Sequence, residues 1–567
     1  MDIFKRPYLD DKKILHFPYE AESLKKHPIF PYYIMDGGAY YVIRELLGES
    51  WDGDKIAELV MNGKLFDAWS ENGAFDWDLP QKQYCKSKVG APVEKHVWMN
   101  RLYFLMPLAS QFLKTGEESY VEKWYEYFRS WVEAYPSQKS EESDDWVIKN
   151  VWREMQVAWR LLSVVHGVAM LADSSTLTED RWDEIYDFIC LNTEQLLKEG
   201  KGHIKKRSAH NHVLQIGVAL LYVGILFPEF EHSEEYKKVG REIVEIQLEG
   251  AIYPDGGSYE DSTSYSLFIA RLYIECALLL QKNHMKPIEG LLECVAKQYE
   301  WIYQMSTRKG DTILMNDSYG TSVLRELEYV KELIPLTLSE KKSVIFEASK
   351  CAVLRNENFD IYIDGMDHSQ WHQHAGRPHF IVYFKEEPLI VDSGCCGYDH
   401  HSMHQYLWGE WAHNTVCMHM KKHPDKTLKP VDEVEMLHAS AEERYVEYRI
   451  TGSRDGVRFS RTRKIELLED SIQIIDTIHA EQETNIEVLL HFAPLDMVAE
   501  AEWHRFTVHP AQAGCDIVAT FSGDVDASFL DYNPAINEKT EFTYAPVAVA
   551  ERFEKDAVIK TVIKIAM

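Results

Sequence analysis

The sequence predicts a multidomain α+β chain: an N-terminal (α/α) toroid over about residues 1–340, then a C-terminal antiparallel β-sandwich over about 345–567. Three observations carry this. The chain has 567 residues, too many for a single core. Apolar residues recur at three-to-four spacing through the first part. Beyond about residue 345 the period becomes two and β-branched residues multiply.

In chain order, helices are expected over 97–114, 120–134, 147–171, 182–197, 210–227, 236–249, 264–281 and 287–305. Turn residues punctuate them, as in Pro136-Ser137, Phe227-Pro228 and Pro254-Asp255-Gly256-Gly257. Helices of similar length on short connections favour antiparallel hairpins, hence a toroid or a solenoid. The lack of a fixed repeat period favours the toroid. Strands are expected over 352–355, 360–364, 379–384, 389–391, 445–451, 457–466, 471–478, 486–492 and 558–565.

Composition sets limits. The net charge of −30 argues against nucleic acid or an anionic membrane as partner. The longest uncharged apolar run, 214–227, is too short to span a bilayer. Nine cysteines without framework spacing read as reduced thiols, and MDIFKRPYLDDKK has no apolar leader. The expected setting is therefore cytoplasmic, or secreted or periplasmic if a leader has been trimmed. Fifteen Trp and 31 Tyr suit clefts for sugar rings.

Ten of the 24 histidines fall within 368–423. The expected strands 379–384 and 389–391 form a hairpin, which returns the chain to the end where it began. His374 and Asp392 should thus meet, with His413 closing a set of two imidazoles and a carboxylate, suited to a Zn-type site. Surface histidines are the competing reading, and His400, His401, His404 and His419 are assigned as surface or rim residues.

In the helical part, Lys201, Lys205, Lys206 and Arg207 make a basic loop before Asn211-His212, which opens an apolar helix and can hold an anion. The stretch YPDGGSYEDSTSYS places Glu260 and Tyr265 on or near the next helix. Trp98, Asn100 and Arg101, like Trp152, Arg153 and Arg160, set a Trp beside an Arg, which is material for a sugar-and-carboxylate subsite. Each also fits ordinary packing.

Taken in order, Asn211-His212, Asp255-Gly256, Glu260, Tyr265, His372-x-His374, Val391-Asp392-x-Gly394 and His413-Asn414-Thr415-Val416 resemble the heparinase II/III-type polysaccharide lyases over about 90–495. The resemblance implies an incomplete (α/α) toroid followed by antiparallel sheets. It implies β-elimination at a 4-linked uronic acid, with Asn211 and His212 neutralising the carboxylate, Tyr265 as catalytic tyrosine and His372 as catalytic histidine. It implies that His374, Asp392 and His413 hold a structural divalent metal, usually zinc, and that Arg153 contacts substrate. The sequence departs from the family at Ala375-Gly376-Arg377, where an Asp is frequent, and at Gln215, where a relative has Glu.

The expected partner is an anionic uronic-acid oligo- or polysaccharide, with a glycosaminoglycan favoured by the basic run and alginate or another uronan as alternative. No organic cofactor is expected, and a homodimer is an allowed assembly. Two rivals remain: a glycoside hydrolase using a pair from Asp255, Glu260, Asp261 and Asp317, and a non-catalytic carbohydrate-binding protein.

Overall fold

The computed structural model describes residues 53–71, 74–79, 99–136, 149–318, 320–366, 372–395, 402–421, 424–427, 429–500, 504–510, 514–522, 526–530, 534–535, 543–544 and 547–566. The chain forms two compact units, one of Met1–Ile252 with Phe268–Val295, the other of Tyr253–Leu267 with Ala296–Met567. Secondary structure changes from helix to strand between residues 333 and 344, where the sequence places the change. The compact units divide elsewhere, because 253–267 and 296–340 group with the sheets.

The first unit is built from α1 (Gly53–Met61), α2 (Leu105–Thr115), α3 (Glu118–Ala134), α4 (Glu154–Leu171), α5 (Glu179–Lys206), α6 (Asn211–Leu226), α7 (Ser233–Gly250) and most of α8 (Thr263–Lys282). Two kinds of helix alternate. α4 and α6 are buried nearly all round, and α6 carries no Asp, Glu, Lys or Arg. α3, α5 and α7 bury one face and expose the other, the pattern of helices packed against an inner layer. α6 packs on both α4 and α7. It approaches α7 through glycine, since a Cβ on Gly240 would lie 2.8 Å from the Gly217 carbonyl oxygen. α8 is long and apolar enough to cross a membrane by composition, but 83% of its apolar window is buried in the protein.

The second unit contains α9 (Leu291–Gln304) from Ala296 onward, α10 (Val323–Leu333), a two-stranded sheet of Pro534–Ala535 with Thr543–Tyr544, and two large antiparallel sheets. The smaller sheet runs in sequence order: β1 (Val344–Phe346), β2 (Cys351–Arg355), β3 (Phe359–Asp364), β4 (His379–Phe384) and β5 (Glu387–Ile390). A short helix, α11 (Ser402–Trp408), precedes β6 (Val416–His419). The larger sheet comprises β6, β7 (Glu433–Ser440), β8 (Tyr445–Arg454), β9 (Val457–Leu467), β10 (Ser471–His491), β11 (Asp496–Glu500), β12 (Arg505–His509), β13 (Ile517–Ser522), β14 (Asp526–Leu530) and β15 (Val547–Ile565). Its main path is β11-β12-β13-β15-β10-β9-β8-β7, with β14 paired to β15 and β6 to β10. Phe359, Ile361 and Phe380 of the small sheet share one core with Ile465, Ile474 and Ile559 of the large one, so the unit is a sandwich.

Two expected strands, 471–478 and 486–492, are one. β10 pairs with β15 along its length, its register shifting between His479 and Thr484 before pairing resumes. The exposed Glu481–Glu483 segment lies in the gap between the two expected strands, but the ladder on either side carries the strand through it.

The expected hairpin is present as β4 and β5, with Val382 opposite Ile390 and Phe384 opposite Glu387. Lys385 and Glu386 take positive φ angles of 46° and 69°, the conformation a two-residue hairpin loop requires. The turn at Pro254–Gly257 also forms. Gly256 has φ +98° and a Cβ there would lie 2.2 Å from the Lys297 carbonyl oxygen, so no other residue fits.

Candidate active site

In the second unit, Tyr265 lies in the first turn of α8 and stacks on the His372 imidazole, with ring centroids 3.6 Å apart and planes at 21°. His372 is buried and Tyr265 partly exposed. Behind them Asp317 bridges two histidines: Oδ2 lies 3.0 Å from His372 Nδ1, and Oδ1 lies 2.9 Å from His374 Nε2. Trp408 Nε1 also donates to Oδ1 at 3.2 Å. Burial alone would raise the Asp317 carboxyl, but the hydrogen bonds from His372 and His374 hold it well below the usual carboxylate range.

Asp317 is fixed by its own neighbours. Asn316 adopts a left-handed φ of 58° and donates from Nδ2 to the Asp261 carbonyl and to Asp364. The backbone N–H of His374 donates to Asn316 Oδ1 at 3.1 Å, and Ser262 donates to the Asp317 carbonyl at 2.9 Å. Arg377, the departure from the family pattern, is buried between Asp261 at 2.5 Å and Asp364, and also donates to Asn316. Its charge balances the two carboxylates underneath the site. Glu260 is buried, with Oε2 3.6 Å from His372 Nε2.

The hairpin brings His374, Asp392 and His413 together, as expected. One ligand atom from each lies within 4.8 Å of the others, and all three residues are buried. The donors fit a divalent cation. His374 gives Nε2–H to Asp317 and His413 gives Nε2–H to the Leu407 carbonyl at 3.0 Å, leaving each Nδ1 as the lone-pair nitrogen. His374 Nδ1 is buried without a hydrogen-bond partner, which a ligated metal would explain. Burial holds His413 down to about 4, so the imidazole is neutral as a ligand must be.

His379, read from sequence only as the start of a strand, belongs here too. The Asn414 backbone N–H donates to its Nδ1 at 3.0 Å, so Nε2 carries the proton, and it lies 2.8 Å from Asp392 Oδ2. Asn414 donates from Nδ2 to the Phe380 and Val391 carbonyls, both at 2.8 Å, pinning the two ends of the hairpin.

Several expectations change. His404 and His419 are buried, not surface residues: His404 packs on Trp408, and His419 is 3.0 Å from Glu487. His372 and His374 lie in an irregular segment, and Asp317 relates them. Trp98, His368, His400, His401 and His423 lie outside the described residues.

In the first unit, Asn211 and His212 open α6. Asn211 is buried and its Oδ1 accepts from Gln215 at 3.2 Å. His212 is partly exposed, with Nδ1 3.2 Å from Glu154 Oε2, and His203 Nε2 lies 3.5 Å from the other oxygen. The His212 hydrogen bond, against the opposing effect of burial, holds Glu154 down to about 2. Glu154 starts α4 with a φ of 40° and its N–H donates to Glu199 at 2.7 Å. Arg153 caps the same helix and is exposed.

The other residues suggested for substrate contact have partners inside the unit. Asn100 accepts from Trp131 Nε1 at 2.8 Å, and Arg101 donates to Gln156 at 2.7 Å. Trp152 and Trp131 flank the fully buried Arg160, 5.1 and 4.2 Å from its guanidinium carbon. Asn100, Arg101 and Trp152 are thus packed in the interior instead of presented to solvent. The basic run is the end of α5, not a loop: Lys201 pairs with Glu235 at 2.7 Å and Arg207 with Glu249 at 2.6 Å.

Residues 53–337 match the family model for the heparinase II/III N-terminus, and 339–552 match that for the heparinase II/III-like C-terminal region. A heparin-sulfate lyase of Bacteroides thetaiotaomicron is 20% identical over 294 residues, 52% of this chain and 37% of that one. A heparin-sulfate lyase of Bacteroides stercoris is 22% identical over 376 residues, 58% of this chain and 54% of the relative. The matches thus span between about a third and a half of the curated relatives' lengths. Among solved structures, a heparinase III superposes with TM-score 0.76 at 15% identity, covering 99% of this chain and 92% of the other. A chondroitin AC lyase of Streptomyces coelicolor A3 gives 0.57 at 10% identity, covering 93% and 82%.

Proposed function

The chain belongs to the heparinase II/III family, and we propose that it is a lyase that cleaves a 4-linked uronic-acid glycan by β-elimination, leaving a 4,5-unsaturated uronate. The observation that carries this reading is the Tyr265–His372 stack, with Asp317 on the far nitrogen of the imidazole.

The physical demand is specific. The C5 proton of a uronate is weakly acidic, and its removal builds a dianionic enolate that positioned donors must neutralise. Asn211 and His212 take that part, with the exposed Arg153 as a further cation. A base must reach C5–H and an acid must reach the leaving O4. Tyr265 and His372, side by side, supply both: where the two groups lie on one face of the sugar, Tyr265 serves as base and then as acid. For the epimer His372 takes the proton and Tyr265 gives one. Glu260 flanks the pair. His374, Asp392 and His413 would hold a divalent metal, for which zinc suits two imidazoles and a carboxylate. That metal would supply structural cross-linking of the hairpin.

The names of the relatives support a glycosaminoglycan as substrate class. The basic run adds little, because Lys201 and Arg207 are engaged with carboxylates. Alginate or another uronan would undergo the same chemistry. A hydrolase finds little support: Asp317 is held by two histidines, Asp261 by Arg377, and Asp255 caps its turn and accepts from Ser349.

The test is a panel of uronic-acid polymers and oligomers followed by ultraviolet absorbance. Rising absorbance with at least one substrate is expected. New reducing ends without absorbance would replace the lyase by a hydrolase, and binding without either would make it a carbohydrate-binding protein.

A further inference from the structure

We propose that Asp317 is a positioning residue that sets which nitrogen carries the proton on both His372 and His374, so that one carboxylate prepares the general base and the metal ligand together. The role of His372 in turnover rests on the lyase reading above; the placement of the protons does not.

An ionised carboxylate only accepts hydrogen bonds, so each nitrogen facing it must be an N–H. Asp317 Oδ2 faces His372 Nδ1 at 3.0 Å, and Glu260 Oε2 lies 3.6 Å from Nε2, beyond hydrogen-bond reach, so Nδ1 carries the proton and Nε2 is the lone-pair nitrogen of the neutral ring. Oδ1 faces His374 Nε2 at 2.9 Å, which leaves Nδ1 as the lone-pair nitrogen of the other. The two rings are therefore fixed in opposite tautomers by one side chain. His372 presents the nitrogen that can take a proton from carbon, and His374 presents the nitrogen that can ligate. When His372 takes the C5 proton at Nε2 it becomes an imidazolium, still donating from Nδ1 to Asp317, whose charge faces the new cation. The electron pair of the broken C–H bond passes to the enolate.

Asp317 is built for this. It is fully buried, donates its own N–H to the His372 carbonyl at 3.3 Å and accepts from Trp408, and its carbonyl is held by Ser262. The sequence singled it out only as a candidate hydrolase acid in MNDSYG, a role its two imidazole partners argue against.

An amide cannot substitute. Asn at this position offers one acceptor and one donor group, so one ring keeps its tautomer and the other must turn its lone pair inward. Asp317→Asn should therefore lower either turnover, with KM little changed, or bound metal, by about 10–100-fold. The wild-type protein gives an independent reading. Nitrogen-15 spectra of the histidine rings, assigned with His372→Gln and His374→Gln, should show His372 protonated at Nδ1 and His374 at Nε2. The reverse tautomers in the wild type would overturn the proposal, as would an Asp317→Asn protein with unchanged tautomers, kcat and metal content. If no uronan is turned over, the lyase reading fails, while the ring spectra and metal content still decide the role of Asp317.

Discussion

In the second unit His372 and His374 are buried and each is hydrogen-bonded to its own oxygen of Asp317, whereas in the first the Glu154 oxygens face His212 at 3.2 Å and His203 at 3.5 Å at a partly exposed position. The first arrangement defines the tautomer of each ring, which proton transfer and metal ligation both need. The second leaves His212 open to solvent beside an exposed Arg153, which suits a donor that must be approached by a charged substrate. On the proposed roles, preorganisation is strongest where bonds would change and is relaxed where a ligand would be received.

Breaking the buried side should have the largest effect. Tyr265→Phe should lower kcat by about 10²–10⁴-fold, the range for a lost acid–base group, with circular dichroism and substrate binding nearly unchanged. Wild-type turnover in that variant would remove Tyr265 from the chemistry. Next, Asp392→Ala removes the buried carboxylate that faces His379 and His413, and with it a ligand-type residue of the metal site, and should cost about 3–5 kcal/mol, the range for a broken buried pair. Denaturant unfolding checks the loss, and elemental analysis should find metal in the wild type and none in the variant.

The exposed side should respond to pH. Glu154 is held down to about 2, below its unfolded value of about 4.3. Its contribution to stability is therefore complete above the unfolded value and disappears as pH falls toward about 2. The gap in unfolding midpoint between wild type and Glu154→Gln should close as pH falls across that acid window. A gap independent of pH would mean that packing, not the ion pair, sets it. The smallest effect is expected from Lys205→Ala with Lys206→Ala at the exposed end of α5. The unfolding midpoint should not move, and only the salt dependence of KM on a densely charged polymer should weaken.

The hairpin and its three ligand-type residues were legible in sequence because strand periodicity and a turn fix which residues return to the same end. Asn211-His212 were legible as an anion-holding helix start, while their role and that of Tyr265 came from a resemblance, carried by their order along the chain. Asp317 and His379 were missed as members of the site. Asp317 lies in an irregular segment with no period to orient it, and His379 is also the first residue of a strand, where its role depends on Asn414 thirty-five residues on. The burial of Trp152, Asn100 and Arg101 was not legible for the opposite reason. A Trp beside an Arg on a helix looks alike whether it faces inward or outward, and only Gln156, Asn192 and Trp131 on neighbouring segments reveal that these face inward.

Asn414 gives the hairpin a further property. Its side-chain amide stands in for a peptide group, donating to two carbonyls while its Oδ1 accepts the His491 backbone N–H at 2.6 Å. His491 in turn accepts from the Val391 N–H at 2.8 Å, and Leu489 donates to the Thr415 carbonyl at 3.0 Å. The end of β10, the hairpin and the segment carrying His413 are thus tied by a ring of mutually dependent bonds. In hydrogen-exchange terms these amides form one cooperative unit. The amides of Val391, Asn414, Leu489 and His491 should exchange together, at the rate of opening of the sandwich instead of at four local rates.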